Sequence, residues 1–525
     1  MSRASRLPMI ETELKSFAVR DFVVDFDERS ELVAVRHRSA PVGPYLGGLR
    51  VLELSVDGRP TPWSTGETVV DSDEVERTAT ADGLASVVLR HSFGAAWRTR
   101  LVLRNISSTT WTGRVALALQ PGSGYRAWSL SVGRDSTYAL LPAALESPIL
   151  VAQSSSGSAV TVTEDGFEVG PIPLDPGFSF VAAWDWHAAA SPRVLADRLP
   201  GELPWVLTAP VGEEIWLPAD RDTAVLIPDD LELLDDHGHR TVFADRPVRR
   251  RVELRSARGS TVLELAWAPA VSDFLVAAAE QILTGPRGPS GVVGLADLPA
   301  ALVLQWATRQ TGFAAAVEAD DALDLFTARL DHSPSETGRS SALEISYLAG
   351  EYDRLGEPDL LEACDRRMSA MTAVSPGLGL AMMRSRLASI LAGRRPPRPT
   401  VGRTAGPLGL DPDSSASAAA AALEYALATE TPDRVTSEET LAWVYRVGIE
   451  LRAGLPGRVP ASLPTEQLSH CLAVLRLLPD TVYPYWTETF GLSISTVTDA
   501  RALELVDRLS GAPVTTAHAW LALSS

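Results

Sequence analysis

From about Phe17 to Pro269 apolar residues recur at every second position in short runs. Examples are Phe22-Val-Val-Asp-Phe26, Leu49-Arg-Val-Leu-Glu-Leu54, Ser86-Val-Val-Leu-Arg90 and Thr99-Arg-Leu-Val-Leu-Arg104. Alternation of this kind, bounded by Gly, Asp, Ser and Pro, predicts strands joined by turns. Asp57-Gly58, Asp82-Gly83 and Asp165-Gly166 supply the positive φ that tight hairpin turns need. Many strands at this spacing predict an antiparallel β-sandwich over residues 1–200. A second β-rich module, or a continuation of the sandwich, is predicted over 201–270, from Gly212-Glu-Glu-Ile-Trp-Leu-Pro218 to Val262-Leu-Glu-Leu-Ala-Trp267.

After Pro269 the period lengthens to that of a helix. Helices are predicted near 271–284, 296–311, 320–331, 339–355, 358–373, 377–393, 414–429, 437–453, 465–477, 486–494, 498–509 and 515–523. Gly356, Pro376, Pro432, Pro456, Pro464, Pro484 and Pro513 act as stops. Short connectors imply antiparallel neighbours. One connector is long, 394–412, and rich in proline, arginine and glycine. A loop of that length in a helical region is a functional lid or a disordered segment.

The 525 residues are enough for two to four domains, and a net charge of -19 narrows their partners. Phosphate recognition needs a basic face, so nucleic acid is not expected as a partner, nor is an anionic membrane surface. Lys15 is the only lysine, and the wealth of Ala, Arg and Pro fits a high-GC bacterial genome. Residues 1–17 lack a signal pattern, and no apolar run reaches membrane-spanning length. The expected location is therefore the cytoplasm. Cys364 and Cys471, the only cysteines, sit in apolar helical patterns and are expected to be buried free thiols.

Two local patterns carry a resemblance. Arg100-Leu-Val-Leu-Arg-Asn-Ile-Ser-Ser108 looks like the strand, Asn and polar turn of N-terminal β-sandwich domains in sugar-processing enzymes. Tyr347-Leu-Ala-Gly-Glu-Tyr-Asp-Arg-Leu-Gly-Glu-Pro-Asp-Leu-Leu361 is similar to the helix–turn–helix units of (α/α)6 toroids. A sandwich followed by about twelve helices resembles the glucoamylase-like and maltose-phosphorylase-like glycoside hydrolases and phosphorylases, whose catalytic signatures are absent here. The resemblance implies an α/α toroid over 271–525 and carboxylate acid–base catalysis. It implies an oligosaccharide or other small-molecule ligand and no organic cofactor. If alternate helices are inner, the loops at 285–295, 331–338, 374–376, 430–436, 480–486 and 511–515 share the ligand face.

The strongest sugar-site candidate is the segment Asp480 to Glu488. Tyr483, Tyr485 and Trp486 offer flat faces for sugar C–H groups, and Glu488 offers a hydrogen-bond acceptor. A capped core would use the same aromatics. Across from it, Asp331, His332 and Glu336 precede a predicted inner helix; a helix N-cap is the alternative. Glu336 and Glu488 are the expected acid and base, since glycosidases need two carboxyls about 5–10 Å apart. Glu344 and Glu351 share one face of the next helix, which solvation would explain.

Asp320-Asp-Ala-Leu-Asp324 has the spacing of a magnesium–diphosphate motif, but acids are also favoured at a helix start. Asp413 matches the proton donor of a terpenoid-cyclase-like toroid, a weaker reading than a helix N-cap. In the β half, Trp184-Asp-Trp-His187 and Tyr125-Arg-Ala-Trp128 fit packed strands, and Asp236-His-Gly-His239 fits a hairpin turn better than a zinc site. A non-catalytic sugar-binding or scaffold protein on the same architecture is the main alternative to an enzyme.

Overall fold

The computed structural model describes residues 14–525 except 39–42, 82, 146, 158–159, 200–203, 206, 218, 220–221, 237–238, 257–258, 296, 333–341, 372, 396–414 and 430–436. The long connector read at 394–412 thus falls almost wholly outside the described residues, as does Asp413. Two compact units form. The first comprises Met1–Glu202, Ala219–Leu226 and Glu253–Val262, and the second Leu203–Pro218, Ile227–Val252 and Leu263–Ser525. Strand Gly259–Ala268 is the last and helix Val271–Leu283 follows it, so the change from β to α falls where the apolar period changes.

In the first unit, one sheet has the spatial order Lys15–Val19, Phe22–Phe26, Leu32–His37, Leu46–Val56, Trp111–Pro121, Gly166–Leu174 and Thr161–Thr163, with Arg59–Pro60 on Leu46–Val56. The other runs Tyr125–Val132, Asp135–Pro142, Ile149–Gly157, Ser179–Ala189, Trp97–Asn105, Ala85–Phe93, Glu74–Ala81 and Ser64–Val70. Strand Ala85–Phe93 alternates between buried and half-buried along its length. Its partner Trp97–Asn105 alternates in step, as a pleated strand with one core face must. Residues from both sheets, including Phe26, Leu101, Val115, Phe167 and Trp184, belong to one apolar cluster.

Asp57 and Gly58 both have positive φ, 50° and 73°, as a type I′ turn requires. Asn105 ties its polar turn together: Nδ2 donates to the carbonyls of Thr109 and Leu174, and Oδ1 accepts from the Ser107 amide. The aromatics flagged in this half are core. Trp184, Trp186, Tyr125 and Trp128 are buried, and Trp186 stacks on Trp97 at 4.3 Å.

The second unit holds short strands and twelve helices among its described residues: α2 (Val271–Leu283), α3 (Leu298–Ala307), α4 (Ala316–His332), α5 (Ala342–Leu355), α6 (Pro358–Ala370), α7 (Leu378–Leu391), α8 (Ala416–Thr429), α9 (Glu438–Glu450), α10 (Thr465–Leu475), α11 (Tyr483–Phe490), α12 (Ile494–Leu509) and α13 (Thr516–Ser524). The single short helix α1 (Pro192–Ala196) belongs to the first unit. Six of the helices follow one another in a closed cycle: α3 packs on α5, α5 on α7, α7 on α8, α8 on α10, α10 on α13, and α13 on α3.

Strand Glu232–Asp236 pairs with His239–Phe243, so Asp236 and His239 are opposite one another in a hairpin, as the turn reading expects. No helix among the described residues is long and apolar enough to cross a membrane. Cys364 and Cys471 are buried free thiols.

Candidate functional site

The aromatic segment read as a loop is helical instead. Asp480–Val482 forms a 3-10 turn that runs into α11, with Pro484 in the first helical turn. Proline is tolerated there because its missing N–H has no intrahelical partner, so it starts this helix rather than stopping one. Within α11, Trp486 is fully buried and its ring lies 4.5 Å from that of Phe490. Tyr485 is half-buried; Tyr483 and Glu488 are exposed. The four residues therefore point in different directions. Asp331 and His332 end α4, while Glu336, the expected partner of Glu488, lies outside the described residues.

Glu351 departs from the solvated-face reading of α5. It is fully buried and accepts hydrogen bonds from Gln305 Nε2 at 2.7 Å and Arg354 Nη2 at 2.5 Å. Thr327 Oγ1 lies 3.3 Å from Glu351 Oε2 and 2.7 Å from the Tyr347 hydroxyl. Burial, then the Glu351 charge, pushes the Tyr347 phenol well above its usual range. Arg354 also reaches Asp324 at 2.6 Å and Asp320 at 3.3 Å. Although burial opposes it, hydrogen bonds to Glu351 and Asp324 hold its guanidinium above the ordinary range. The aspartates with magnesium-motif spacing are thus occupied by an arginine. Glu344, on the same helix, faces Arg367 at 3.5 Å.

This polar cluster backs a cavity of about 200 Å³, close to the size of one sugar ring. Its wall comes from α3 and the turn after it (Gln305, Trp306, Arg309, Gln310), from Arg384 on α7, and from the end of α13. α3, α7 and α13 all belong to the cycle, so three of its helices supply the wall. Arg309 is exposed, donates to the Gly350 carbonyl at 3.2 Å and faces Asp353 at 3.7 Å. Arg384 is half-buried, and among the described residues its guanidinium has no hydrogen bond or ion pair. Burial, and next the nearby Arg309 charge, lowers its pKa to about 10, with Asp353 opposing.

Two guanidiniums, two amides and an indole line one small space, a donor set able to accept an anion and to pack a ring face. A guanidinium offers paired donors that match a carboxylate, and indole offers a face for C–H groups. Sequence reading missed this site because its arginines are 75 positions apart, one in the turn after α3 and one on α7, with no motif around either. The nearest signal was the pair Glu344 and Glu351 on one face of α5, which sequence alone reads as solvated.

A second, open cleft of about 450 Å³ is lined by Asp229, Asp230, Glu232, Asp245 and Arg246. Arg250 holds the Asp230 carboxyl below its usual range by a hydrogen bond. Among the described residues no group of three or more His, Cys, Asp or Glu is placed to hold a metal ion.

Against known structures, the chain is similar to a polysaccharide lyase, with a TM-score of 0.57 and 11% identity over 93% of each chain. That likeness places the molecule in a class by fold: a β-sheet region followed by a helical region, built as in that lyase. Looser overlaps join it to a putative aldose 1-epimerase from Escherichia coli K12 (TM-score 0.24, 9% identity, 34% of this chain and 99% of that one) and a TPR-domain protein from Parabacteroides distasonis (TM-score 0.21, 11% identity, 94% and 88%). Overlaps that loose carry no argument. No family model and no curated protein matches the sequence.

Proposed function

We propose that this is a carbohydrate-active protein whose helical unit binds an acidic saccharide in the cavity between α3, α7 and α13. The observation that carries the reading is Arg384, a half-buried cation whose guanidinium has no anion of its own among the described residues. A buried charge without a partner is costly, and a ligand carboxylate would relieve that cost. The fold likeness to a polysaccharide lyase supports a saccharide as the carrier of the anion. In this reading the six-helix cycle is the inner ring of an (α/α)6 toroid. Gln305 and Gln310 serve the hydroxyls, Trp306 the ring face, and Arg309 and Arg384 the carboxylate.

The test is titration calorimetry of the full chain with an acidic oligosaccharide such as an oligogalacturonate, and with a neutral maltooligosaccharide. The acidic ligand is expected to bind and the neutral one not. Arg384→Gln is expected to weaken binding on the order of 10- to 100-fold, the loss of one charged hydrogen-bonding group. Equal binding of both ligands, or an unchanged affinity in the variant, overturns the reading.

A second reading keeps the paired-carboxylate chemistry of a glycoside hydrolase or phosphorylase. It rests on Glu336 and Glu488 with Asp331, His332, Tyr483 and Tyr485 around them. Exposure of Glu488 and Tyr483 favours it; the burial of Trp486 does not. It requires that Glu488→Gln abolish release of new reducing ends while the acidic ligand still binds.

A further inference from the structure

The cycle of helices carries a second polar cluster, in which a serine, a histidine and a glutamate meet. Ser417 Oγ, on the first turn of α8, lies 3.3 Å from His470 Nδ1 on α10. His470 Nε2 lies 3.0 Å from Glu424 Oε2, two turns further along α8. Glu424 and His470 are fully buried, whereas Ser417 is half-buried.

The hydrogen bonds decide which nitrogen carries the proton. Glu424 Oε2 accepts from the Gly377 amide at 2.9 Å and Oε1 from the Leu380 amide at 2.5 Å. Both oxygens are acceptors, so the contact with His470 needs a proton on Nε2. Nδ1 is left as an acceptor, and Ser417 supplies the hydroxyl that fills it. A nucleophile beside a base that is itself oriented by a third group is the arrangement that activates a serine.

The surrounding packing holds these positions. The His470 ring lies against Trp520 at 4.5 Å and 31°. A β-carbon at Gly379 would come within 2.2 Å of the Glu424 carbonyl, and one at Gly377 within 2.7 Å of Trp520. Both glycines therefore let α7 approach the cluster closely. Ser415 caps α8, accepting from the Ala418 amide at 3.2 Å. The two preceding amides, of Ala416 and of Ser417 itself, occupy helix positions that have no intrahelical acceptor. Unpaired within the helix, they are donors that an oxyanion on the ester carbon could use.

We propose that Ser417, His470 and Glu424 hydrolyse a carboxylic ester, an activity that does not rest on the acidic-saccharide reading. Ser417 Oγ attacks the ester carbonyl carbon as its proton passes to His470 Nδ1. The ester C–O bond then breaks, and the departing alkoxide takes that proton and leaves as the alcohol. Water adds to the acyl carbon and gives a proton to Nδ1. The bond to Ser417 Oγ breaks, Oγ recovers the proton, and the carboxylic acid is released. Glu424 keeps its negative charge throughout and holds the imidazole.

The experiment treats the full chain with a fluorophosphonate probe, maps the labelled peptide, and follows hydrolysis of p-nitrophenyl acetate. The expected results are a single adduct on Ser417 and a loss on the order of 100-fold or more in hydrolysis for Ser417→Ala. That substitution falls in an alanine-rich helix, and far-UV circular dichroism verifies that it folds. His470→Gln is expected to abolish labelling while Ser417 is retained. Arg384→Gln should leave labelling intact, so the failure of one site is distinguishable from the failure of the other. Absence of an adduct on Ser417 in the folded chain, or hydrolysis unchanged in Ser417→Ala, overturns the proposal.

Discussion

Gln305 Nε2 donates both to Glu351 Oε1, at 2.7 Å, and to the Tyr347 carbonyl, at 3.1 Å. The amide that lines the arginine cavity is therefore fixed from behind by a buried carboxylate. Gly350 makes room for it: a β-carbon there would lie 2.2 Å from Gln305 Oε1. Gly350→Ala should force Gln305 out of place, destabilise the chain by about 1–3 kcal/mol and weaken acidic-saccharide binding. Urea unfolding and calorimetry would show both effects. Unchanged stability would mean that Gln305 is free to move.

Trp486 is a core residue of the helical unit, packed on Phe490. Trp486→Ala should cost about 3–5 kcal/mol, seen as a lower unfolding midpoint. Glu488→Gln, at an exposed position two residues on, should change stability by no more than about 0.5 kcal/mol. A destabilisation by Glu488→Gln comparable to that of Trp486→Ala would contradict this placement.

His91 should make the first unit acid-sensitive. Burial lowers its pKa from 6.5 to about 3. Between those values the unfolded chain binds a proton that the folded chain does not, so stability is present above pH 6.5 and is lost as pH falls toward 3. The slope from this one group is about 1.4 kcal/mol per pH unit. Carboxylates contribute in the same direction, so the measurement is a comparison of denaturant midpoints across the window for wild type and His91→Gln. The variant should show the shallower dependence, and identical slopes would remove His91 as the cause.

Both cysteines should be silent in the native protein. Burial pushes the Cys364 thiol up to about 12 and the Cys471 thiol further. The reactive thiolate is therefore scarce and shielded. A thiol-specific disulfide reagent should titrate no thiol in buffer and two per chain in denaturant. Rapid labelling of either in buffer would show that the helical unit opens.

The sequence disclosed most about elements whose pattern is local. The switch of apolar period after Pro269 marked the boundary between strand and helix, and each of the twelve helical windows overlaps a helix. The least accurate was 486–494, observed as Tyr483–Phe490, because Pro484 was taken for a stop when it stands in a first turn. Site chemistry was far less legible. Trp486 and Glu488 are two apart in sequence, but a helix turns them about 200° from one another, into the core and into solvent. Arg309 and Arg384, like Ser417 and His470, approach only through tertiary packing, and spacing along the chain carries no trace of it.

The interleaving of the two units sets an order for events on the ribosome. Chains are made from the N-terminus, and domains generally fold as they emerge. Here the β unit needs residues as far as Val262, and the helical unit draws on segments from Leu203 onward. Neither can be completed while about the first half of the chain is still being made. Both large sheets of the β unit draw all their strands from residues before 190, so they can pair first, and the segments Ala219–Leu226 and Glu253–Val262 join the unit later. Slower translation just after residue 262 would give that late joining time, and a nascent chain stalled before it should already resist protease across both sheets while residues after 202 stay sensitive.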